Sequence, residues 1–247
     1  MNSSIILALE TATDACSVAL IKDDRCISRL SLIPKMHTSL ILPMISELLA
    51  EAEIGIQEIT AIACGRGPGS FTGVRIAISV AQGLSYGLQV PVYPISTLHA
   101  LAWQAKKSQA SKNGFGYIVP ALDARMNEIY VSCYELNSIG LIESFPEKLI
   151  DGKTAFDILR LSTQKNLHLI GSGWDVYAST HNALAKQCHP HAQDIAEIAL
   201  EKINAGLKGL PADKVLPVYL RDNVAVKMAS YNSESLSNSS TEIHSST

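Results

Sequence analysis

The sequence is short of charge, of paired cysteines and of long apolar runs. Asp, Glu, Lys and Arg make up only 17% of its 247 residues, against about 25% in ordinary soluble domains. The formal net charge is -3, which excludes the general basic field that attracts nucleic acid, so any role near RNA is expected to be indirect. Because 47% of the residues are hydrophobic, the chain is predicted to fold, and some apolar surface is expected to remain for a partner to cover.

Cysteine usage and the length of the apolar runs bear on the compartment. The five cysteines are widely spaced and form no CxxC pair, so neither a disulfide framework nor a zinc ribbon is expected. Glu10, Arg75 and Gln82 interrupt the apolar stretches long before the roughly 18 residues that a membrane span needs. A signal peptide carries a Lys or Arg before its apolar segment, whereas no Lys or Arg precedes the apolar segment 5–9. These features predict a cytoplasmic protein without membrane contact.

Hydrophobic periodicity predicts an α/β protein with two related lobes, because a β-rich stretch followed by helix and strand segments occurs twice. In the first half, strands are predicted at 5–9, 16–21, 26–32, 59–64 and 90–95, and helices at 40–49, 70–86 and 96–105. In the second half, strands are predicted at 117–122, 128–135 and 167–170, and a helix at 192–207.

Composition sets the predicted domain bounds. A small and polar stretch at 106–116 separates an N-terminal lobe, 1–105, from a second lobe, 106–212. Residues 213–229 are predicted to pack back on the first lobe. The last stretch, 230–247, is rich in Ser and has no apolar period, so it is predicted to be a disordered tail.

The densest motif is the run of glycines from Gly65 to Gly73, between a predicted strand and a predicted helix. Such a loop can bring backbone N–H groups to a phosphate, but it lacks the lysine of GxxxxGK[ST] and the spacing of GxGxxG. Two interpretations stay open: a phosphate-facing loop, or a sharp turn that allows close packing. The turn Glu10–Asp14 is open to the same choice between nucleotide binding and plain turn formation. The candidate phosphate-facing residues are Glu10, Thr11, Thr13, Gly67, Gly69 and Ser70.

Metal and nucleophile chemistry have little support in the sequence. His37 stands alone, because the position four residues on, where a metallohydrolase helix needs a second His, is Ile41. The run Cys188–His191 contains Pro190 and reads as a loop. Ser70 does not lie in a G-x-S-x-G elbow. No catalytic residue and no metal ligand is therefore predicted.

Two further motifs are compatible with either a functional or a plain structural role. Asp123, Arg125 and Glu128 form a charged turn that could be an ordinary salt-bridged hairpin or could face a cleft. Gly171–Trp174 follows a predicted strand and echoes the first glycine loop.

Seven segments together resemble the bacterial TsaB family, also called YeaZ. They are LALETATDACSVAL at 7–20, HTSLILPMISELL at 37–49, ACGRGPGSFTGVRIAISVAQGL at 63–84, ISTLHALA at 95–102, ALDARMNEIY at 121–130, GSGW at 171–174 and PVYLRDNVA at 217–225. The central glycine run followed by Arg75 is the most specific of them. The resemblance extends to about Met228 and leaves out the serine-rich tail.

The resemblance implies an actin/hexokinase/Hsp70-like ATPase fold, of the ribonuclease H-like kind, with two related lobes. It also implies a part in forming threonylcarbamoyladenosine next to the anticodon of tRNAs that read codons starting with A. Members of this family look like non-catalytic relatives of the transferase TsaD, which they bind together with the ATPase TsaE, while TsaC supplies the threonylcarbamoyl-adenylate. The implied form is a homodimer when the protein is alone, contact with tRNA is only indirect, and ATP or ADP is expected only within the complex.

This sequence departs from the expected pattern at two positions, and both departures point to a pseudo-enzyme. The relative holds its metal with two histidines on the helix that matches 37–49, and here only His37 could correspond. The turn that usually begins with Asp in this family carries Glu10 instead, which moves the charge by one methylene. The alternatives are an ATP-dependent phosphotransferase that uses Glu10, Thr11 and the glycine loop, and a metallopeptidase.

The predicted helix 70–86 is expected to form much of a partner surface. Its small residues Gly73, Ala77, Ala81 and Ser85 recur at every fourth position, so they lie along one stripe that another helix can approach closely. The stripe could pack against the helix 40–50 of the same chain; the resemblance favours a bundle shared with TsaD or a second copy. A charge at Ala77 or Ala81 is then expected to leave a folded monomer. The predicted interface residues are Phe71, Gly73, Val74, Ala77, Ile78, Ala81, Leu40 and Met44.

A last prediction concerns Arg221, which follows the last predicted helix where the chain returns towards the first lobe. We expect this guanidinium to make charge-assisted hydrogen bonds to a backbone carbonyl or a carboxylate at the lobe junction.

Overall fold

A computed structural model describes residues 4–23, 25–109, 116–160, 166–175 and 188–221. The strands are β1 Ile5–Glu10, β2 Cys16–Lys22, β3 Arg25–Ser31, β4 Ala61–Gly65, β5 Val92–Ile95, β6 Gly116–Asp123, β7 Glu128–Asn137, β8 Gly140–Asp151 and β9 Leu167–Ile170. The helices are α1 His37–Glu51, α2 Phe71–Leu88, α3 Thr97–Gln109, the single turn α4 Ala155–Ile158 and α5 Ala192–Asn204. Short 3₁₀ turns lie at 56–58, 152–154, 172–174 and 212–214.

The described strands form two sheets with the same pattern of strand order and direction. The first has the order β3-β2-β1-β4-β5 and the second the order β8-β7-β6-β9. In each sheet, the next strand along the chain after an antiparallel three-stranded meander pairs in parallel with the first strand of that meander, β4 with β1 and β9 with β6. The predicted α/β fold with two related lobes is confirmed, with the repeated architecture that the family resemblance implies.

The first sheet is covered on both faces, which explains why β1 reads as a continuous apolar run. Ile5, Leu7 and Leu9 point into a core shared with α1 and α2. Ile6 and Ala8 point to the opposite face, where α5 and the side chain of Trp103 cover them. Every residue of β1 is buried as a result.

Helices α3 and α5 lie between the two sheets and pack across the predicted boundary between the lobes. Helix α3 falls within the predicted N-terminal lobe, yet Leu98 and Leu101 pack on Ile118 of the second sheet. Helix α5 falls within the predicted second lobe, yet Ile195 and Ala199 pack on the first sheet. The apolar period marks the buried face of a helix but does not say which sheet that face meets. The bounds 1–105 and 106–212 stay a prediction.

Strand β8 was missed by the sequence reading. It is the edge strand of the second sheet and is largely exposed or half-buried, its pairing with β7 shifts register around Cys133, and it contains Pro146. A bulged edge strand with a proline has no clean alternation to detect.

The segments that follow α3 and α5 differ in part from the sequence prediction. Helix α3 continues to Gln109, inside the stretch that was predicted as a junction, and the predicted tail at 230–247 lies outside the described residues. Beyond α5, Leu210 pairs with Val92 at the edge of the first sheet, and Val215 is buried in the first core. None of the described helices is long and apolar enough to cross a membrane.

Candidate functional site

The glycine loop packs directly against the β1–β2 turn. The Ser70 amide donates to the Ala12 carbonyl at 2.7 Å, and the Thr11 hydroxyl donates to the Gly73 carbonyl at 2.6 Å. A Cβ on Gly69 would lie 2.5 Å from the Ala12 oxygen, and a Cβ on Gly73 would overlap the Thr11 oxygen. The structure therefore uses these glycines for close backbone packing, the second of the two interpretations left open by the sequence.

The same loop encloses Glu10. This side chain is fully buried and its Oε1 accepts from the Ala12 amide at 2.6 Å. Its Oε2 has no hydrogen-bond partner among the described residues and lies where a Cβ on Gly65 would be. Burial raises the pKa of Glu10 to about 7, although the backbone amides of Ala12 and Thr11 oppose the shift. Glycine at position 65 is what leaves room for the carboxyl group.

A cleft of about 440 Å³ opens between the two lobes, beside this packed layer. The first lobe contributes Thr13, Asp14, Gly69, Ser70 and Phe71, together with Ala12. The second lobe contributes Leu122, Asp123, Ala124, Arg125, Tyr130 and Ser172. Among the described residues that line it, Arg125 is the only cation, and its guanidinium is 3.2 Å from the Asp123 carboxylate. The cleft is thus rich in hydroxyl groups and carboxylates rather than in positive charge.

The six candidate phosphate-facing residues are divided by the structure. Thr13, Gly69 and Ser70 line the cleft, and their role towards a phosphate stays a prediction. Glu10 and Thr11 are fully buried beneath it, and Gly67 packs under Val74 and the Val218 carbonyl. The prediction is therefore corrected for these three.

The fold family implies a magnesium nucleotide, and neither the β1 carboxylate nor the backbone amide of Ser70 in the glycine loop is available to hold one. The carboxylate at the end of β1 is enclosed, and the loop amide of Ser70 is used inside the chain. The guanidinium of Arg125, the cation in the lining of the cleft, is already paired with the Asp123 carboxylate.

His37 has a structural partner of its own. It is buried at the start of α1, and its Nε2 lies 2.8 Å from the Thr13 carbonyl, so it fastens the β1–β2 turn to that helix. In the part of the chain that the structure describes, no three His, Cys, Asp or Glu side chains come together as a group that could hold a metal ion.

The predicted partner stripe of α2 faces inward and needs correction. Gly73, Ala77 and Ala81 are buried in the first core, as are Val74 and Ile78 on the same helix. Met44 of α1 is buried there too, while Leu40 is half-buried and Phe71 is 51% exposed. Small residues at every fourth position bring α2 close to its own sheet and to the β1–β2 turn, so they serve internal packing. A charge at Ala77 or Ala81 would therefore disrupt the fold.

The opposite side of α2 is open, and we call it the α2 outer face. Thr72, Ser79, Gly83 and Gly87 are exposed on it, and Ile76, Val80 and Leu84 are half-buried beside them. A Cβ added at Gly83 or Gly87 would meet nothing within 4 Å. Sequence reasoning missed this surface because small residues recur on both sides of the helix.

The prediction for Arg221 is confirmed. Its Nη2 lies 2.6 Å from the Glu128 carboxylate and donates to the Ala124 carbonyl at 3.0 Å. Both acceptors belong to the β6–β7 connection, whose charged residues were singled out in the sequence. In the same connection, Asp123 and Arg125 form an exposed salt bridge. This is the ordinary salt-bridged hairpin that the sequence left open as one of two interpretations.

Comparison with known proteins gives a consistent result. The family described as "TsaD: tRNA N6-adenosine threonylcarbamoyltransferase" matches residues 31–229. The tRNA threonylcarbamoyladenosine biosynthesis protein TsaB of Escherichia coli K12 is 35% identical over 228 residues, 90% of this chain and 96% of the relative. The protein of the same name from Haemophilus influenzae is 36% identical over 239 residues, 92% of this chain and 98% of the relative. The solved structure of YeaZ from Pseudomonas aeruginosa superposes with a TM-score of 0.75 at 38% identity, over 88% of this chain and all of that one.

Proposed function

Because this chain belongs to the TsaB family, also called YeaZ, of tRNA threonylcarbamoyladenosine biosynthesis proteins, we propose that it is a non-catalytic scaffold subunit that binds and activates the transferase TsaD. Its proposed setting is the cytoplasm, with the ATPase TsaE as a further partner and with tRNA contacted only through the complex. The proposal extends to a homodimer when TsaD is absent.

The observation that carries this proposal is the α2 outer face. Exposed glycines at positions 83 and 87 leave the backbone of the helix open to close approach, which is what a second helix needs to pack against it. The half-buried Ile76, Val80 and Leu84 supply apolar area along the same side. Leu42 of α1 is a further apolar side chain that is 55% exposed. We assign this surface to TsaD because the chain matches the family model of that transferase, so a homologous helix is available to complete a bundle.

The chemistry beside the cleft supports a non-catalytic role. Glu10 is enclosed with a raised pKa, and His37 is engaged by the β1–β2 turn. The described cleft residues supply no unpaired cation to stabilise a developing charge. A phosphotransferase that uses Glu10 and Thr11 on ATP is disfavoured because neither side chain reaches the cleft.

Reconstitution tests the role of the subunit. TsaC, TsaD, TsaE, tRNA, threonine, bicarbonate and ATP are mixed with and without this chain, and the modified nucleoside is quantified. We expect the product to fall to a small fraction when the chain is omitted. Undiminished product in its absence would overturn the proposal.

Substitution on the α2 outer face tests the proposed surface. Ser79→Arg places a charge in the proposed interface, where desolvation without a partner costs several kcal/mol, so we expect TsaD binding to weaken at least tenfold. The matched control is Ser138→Arg, at an exposed serine in the β7–β8 turn of the other lobe. Both variants should keep the wild-type circular dichroism. In the absence of TsaD, sedimentation should show a monomer for Ser79→Arg and the wild-type homodimer for Ser138→Arg. Wild-type affinity of Ser79→Arg for TsaD would exclude this face.

A further inference from the structure

The residues after α5 run as an extended segment across the first lobe; we call Val215–Arg221 the strap. Val215 is fully buried in the first core, and its carbonyl accepts from the Gln82 side chain of α2 at 3.0 Å. The Val218 amide donates to the Arg66 carbonyl at 2.9 Å, just after β4. The strap is therefore fixed to the first lobe at both α2 and the glycine loop.

An aromatic contact adds a third attachment at the mouth of the cleft. The Tyr219 ring lies 5.4 Å from that of Phe71, centroid to centroid. Arg75 donates from Nε to the Tyr219 hydroxyl at 2.6 Å, and its guanidinium lies 3.7 Å from the Phe71 centroid. Because Phe71 lines the cleft, the strap packs against one wall of it.

The last residue of the strap crosses to the other wall. Arg221 contacts the β6–β7 turn of the second lobe at three atoms: a carboxylate oxygen of Glu128 at 2.6 Å, the Ala124 carbonyl at 3.0 Å and the Met126 sulfur at 3.6 Å. The side chains of Arg221 and Glu128 are 21% and 32% exposed, so the ion pair is partly shielded from solvent.

The turn that Arg221 holds is strained. Arg125, Met126 and Asn127 have φ values of 66°, 58° and 62° in succession, a left-handed conformation that is uncommon for residues other than glycine. The Asn127 carbonyl accepts from the Gly152 amide at 2.8 Å. Three consecutive left-handed residues persist only where the surroundings hold them, and Arg221 is one of the groups that does so.

Arg66 provides a second crossing beside the strap. Its two terminal nitrogens lie 3.1 Å from the two carboxylate oxygens of Glu147, on β8 of the second lobe. Its carbonyl is the group that accepts from Val218 of the strap. The same residue therefore joins the strap, the glycine loop and the second lobe.

From these contacts we propose that the strap is an interlobe clamp: it fixes the width of the cleft, and Arg221 is its latch on the second lobe. Releasing the latch frees the β6–β7 turn from its left-handed conformation, while the Arg66–Glu147 ion pair still joins the two lobes near the strap. The cleft wall formed by Asp123–Arg125 then moves relative to the wall formed by Phe71.

Hydrogen exchange on the full chain, read by mass spectrometry, tests the clamp. The variants are Arg221→Gln and Glu128→Gln, each of which removes one side of the latch, and the charge swap that combines Arg221→Glu with Glu128→Arg. The matched control is Lys214→Gln, because Lys214 lies directly before the strap and forms an ion pair with its exposed neighbour Asp213. We expect at least tenfold faster exchange across 124–128 and at Gly152 in both single variants. The swap should recover most of the protection, and the control should match the wild type.

Core amides separate a clamp from ordinary structural support. The clamp requires that exchange in β1 and β4 stays at the wild-type rate while the β6–β7 turn opens. Faster exchange throughout the first sheet would mean that Arg221 stabilises the whole fold, and this would overturn the proposal. Unchanged exchange across 124–128 in both single variants would overturn it as well.

Discussion

Two glycines of the same helix should respond in opposite ways to the same substitution. Gly73 faces the β1–β2 turn, where an added methyl group would overlap the Thr11 carbonyl oxygen. Gly83 lies ten residues further along α2 on the outer face, where an added methyl group would meet nothing within 4 Å. Changing each to alanine therefore separates close backbone packing from intrinsic helix propensity.

The expected magnitudes follow from these surroundings. The obstacle to Gly73→Ala is backbone, so no rotamer change relieves it and α2 must shift, at an overpacking cost of about 1–3 kcal/mol. That shift also strains the 2.6 Å hydrogen bond from the Thr11 hydroxyl to the Gly73 carbonyl, a contribution of about 1 kcal/mol. Alanine returns about 0.5–1 kcal/mol through helix propensity. We expect a net loss of about 2 kcal/mol for Gly73→Ala and a gain of up to about 1 kcal/mol for Gly83→Ala.

Thermal unfolding and urea titration measure both values. For a chain of this length about 2 kcal/mol corresponds to a midpoint roughly 4–8 °C lower. Each protein is measured at two concentrations, because Gly83 lies on the proposed dimer surface and a change in association would make the midpoint depend on concentration. If both variants shifted the free energy of unfolding in the same direction, the assignment of Gly73 to a tight backbone contact would be refuted.

Three further predictions concern buried groups. The folded chain holds a proton on Glu10 between about pH 4.5 and 7 that the unfolded chain releases, so stability falls as pH rises through this window, by up to about 3 kcal/mol; Glu10→Gln should flatten that dependence in urea titrations. Ala77→Glu should lose its cooperative unfolding transition and helical circular dichroism, because Ala77 is fully buried and the carboxylate would have no partner. A thermal midpoint equal to that of the wild type would contradict this. Gly171→Ala should lower the midpoint more than Gly206→Ala, since φ is positive at both, +101° and +76°, but only at Gly171 does the new Cβ overlap a backbone atom, the Ala121 oxygen.

The elements of the first lobe could be predicted from the sequence because each has a strong local signal. The apolar runs of β1 and β2 and the turn residues between them act over a few positions. The seven family motifs are likewise strings of neighbouring residues, and they were enough to identify the TsaB family. Arg221 could be predicted to bind at the lobe junction because it follows the last predicted helix, where the chain returns towards the first lobe.

The orientation of α2 was decided only by the tertiary structure. Small residues recur at 73, 77 and 81 on one side and at 79, 83 and 87 on another, so spacing alone gives two candidate faces for close approach. The first set packs against the Thr11 and Ala12 backbone and the first sheet, and this fixes the second set as the open face.

The burial of Glu10 and the positions of α3 and α5 between the sheets were likewise decided only by the tertiary structure. A carboxylate in a turn reads as an exposed ligand in a sequence, yet here the glycine at position 65, far away along the chain, makes the space that encloses it. A helical period likewise fixes that one side of α3 or α5 is buried, while the sheet that covers it depends on the path of the chain through both lobes. Periodicity and turn chemistry are local properties, whereas burial is set by segments that meet only when the chain folds.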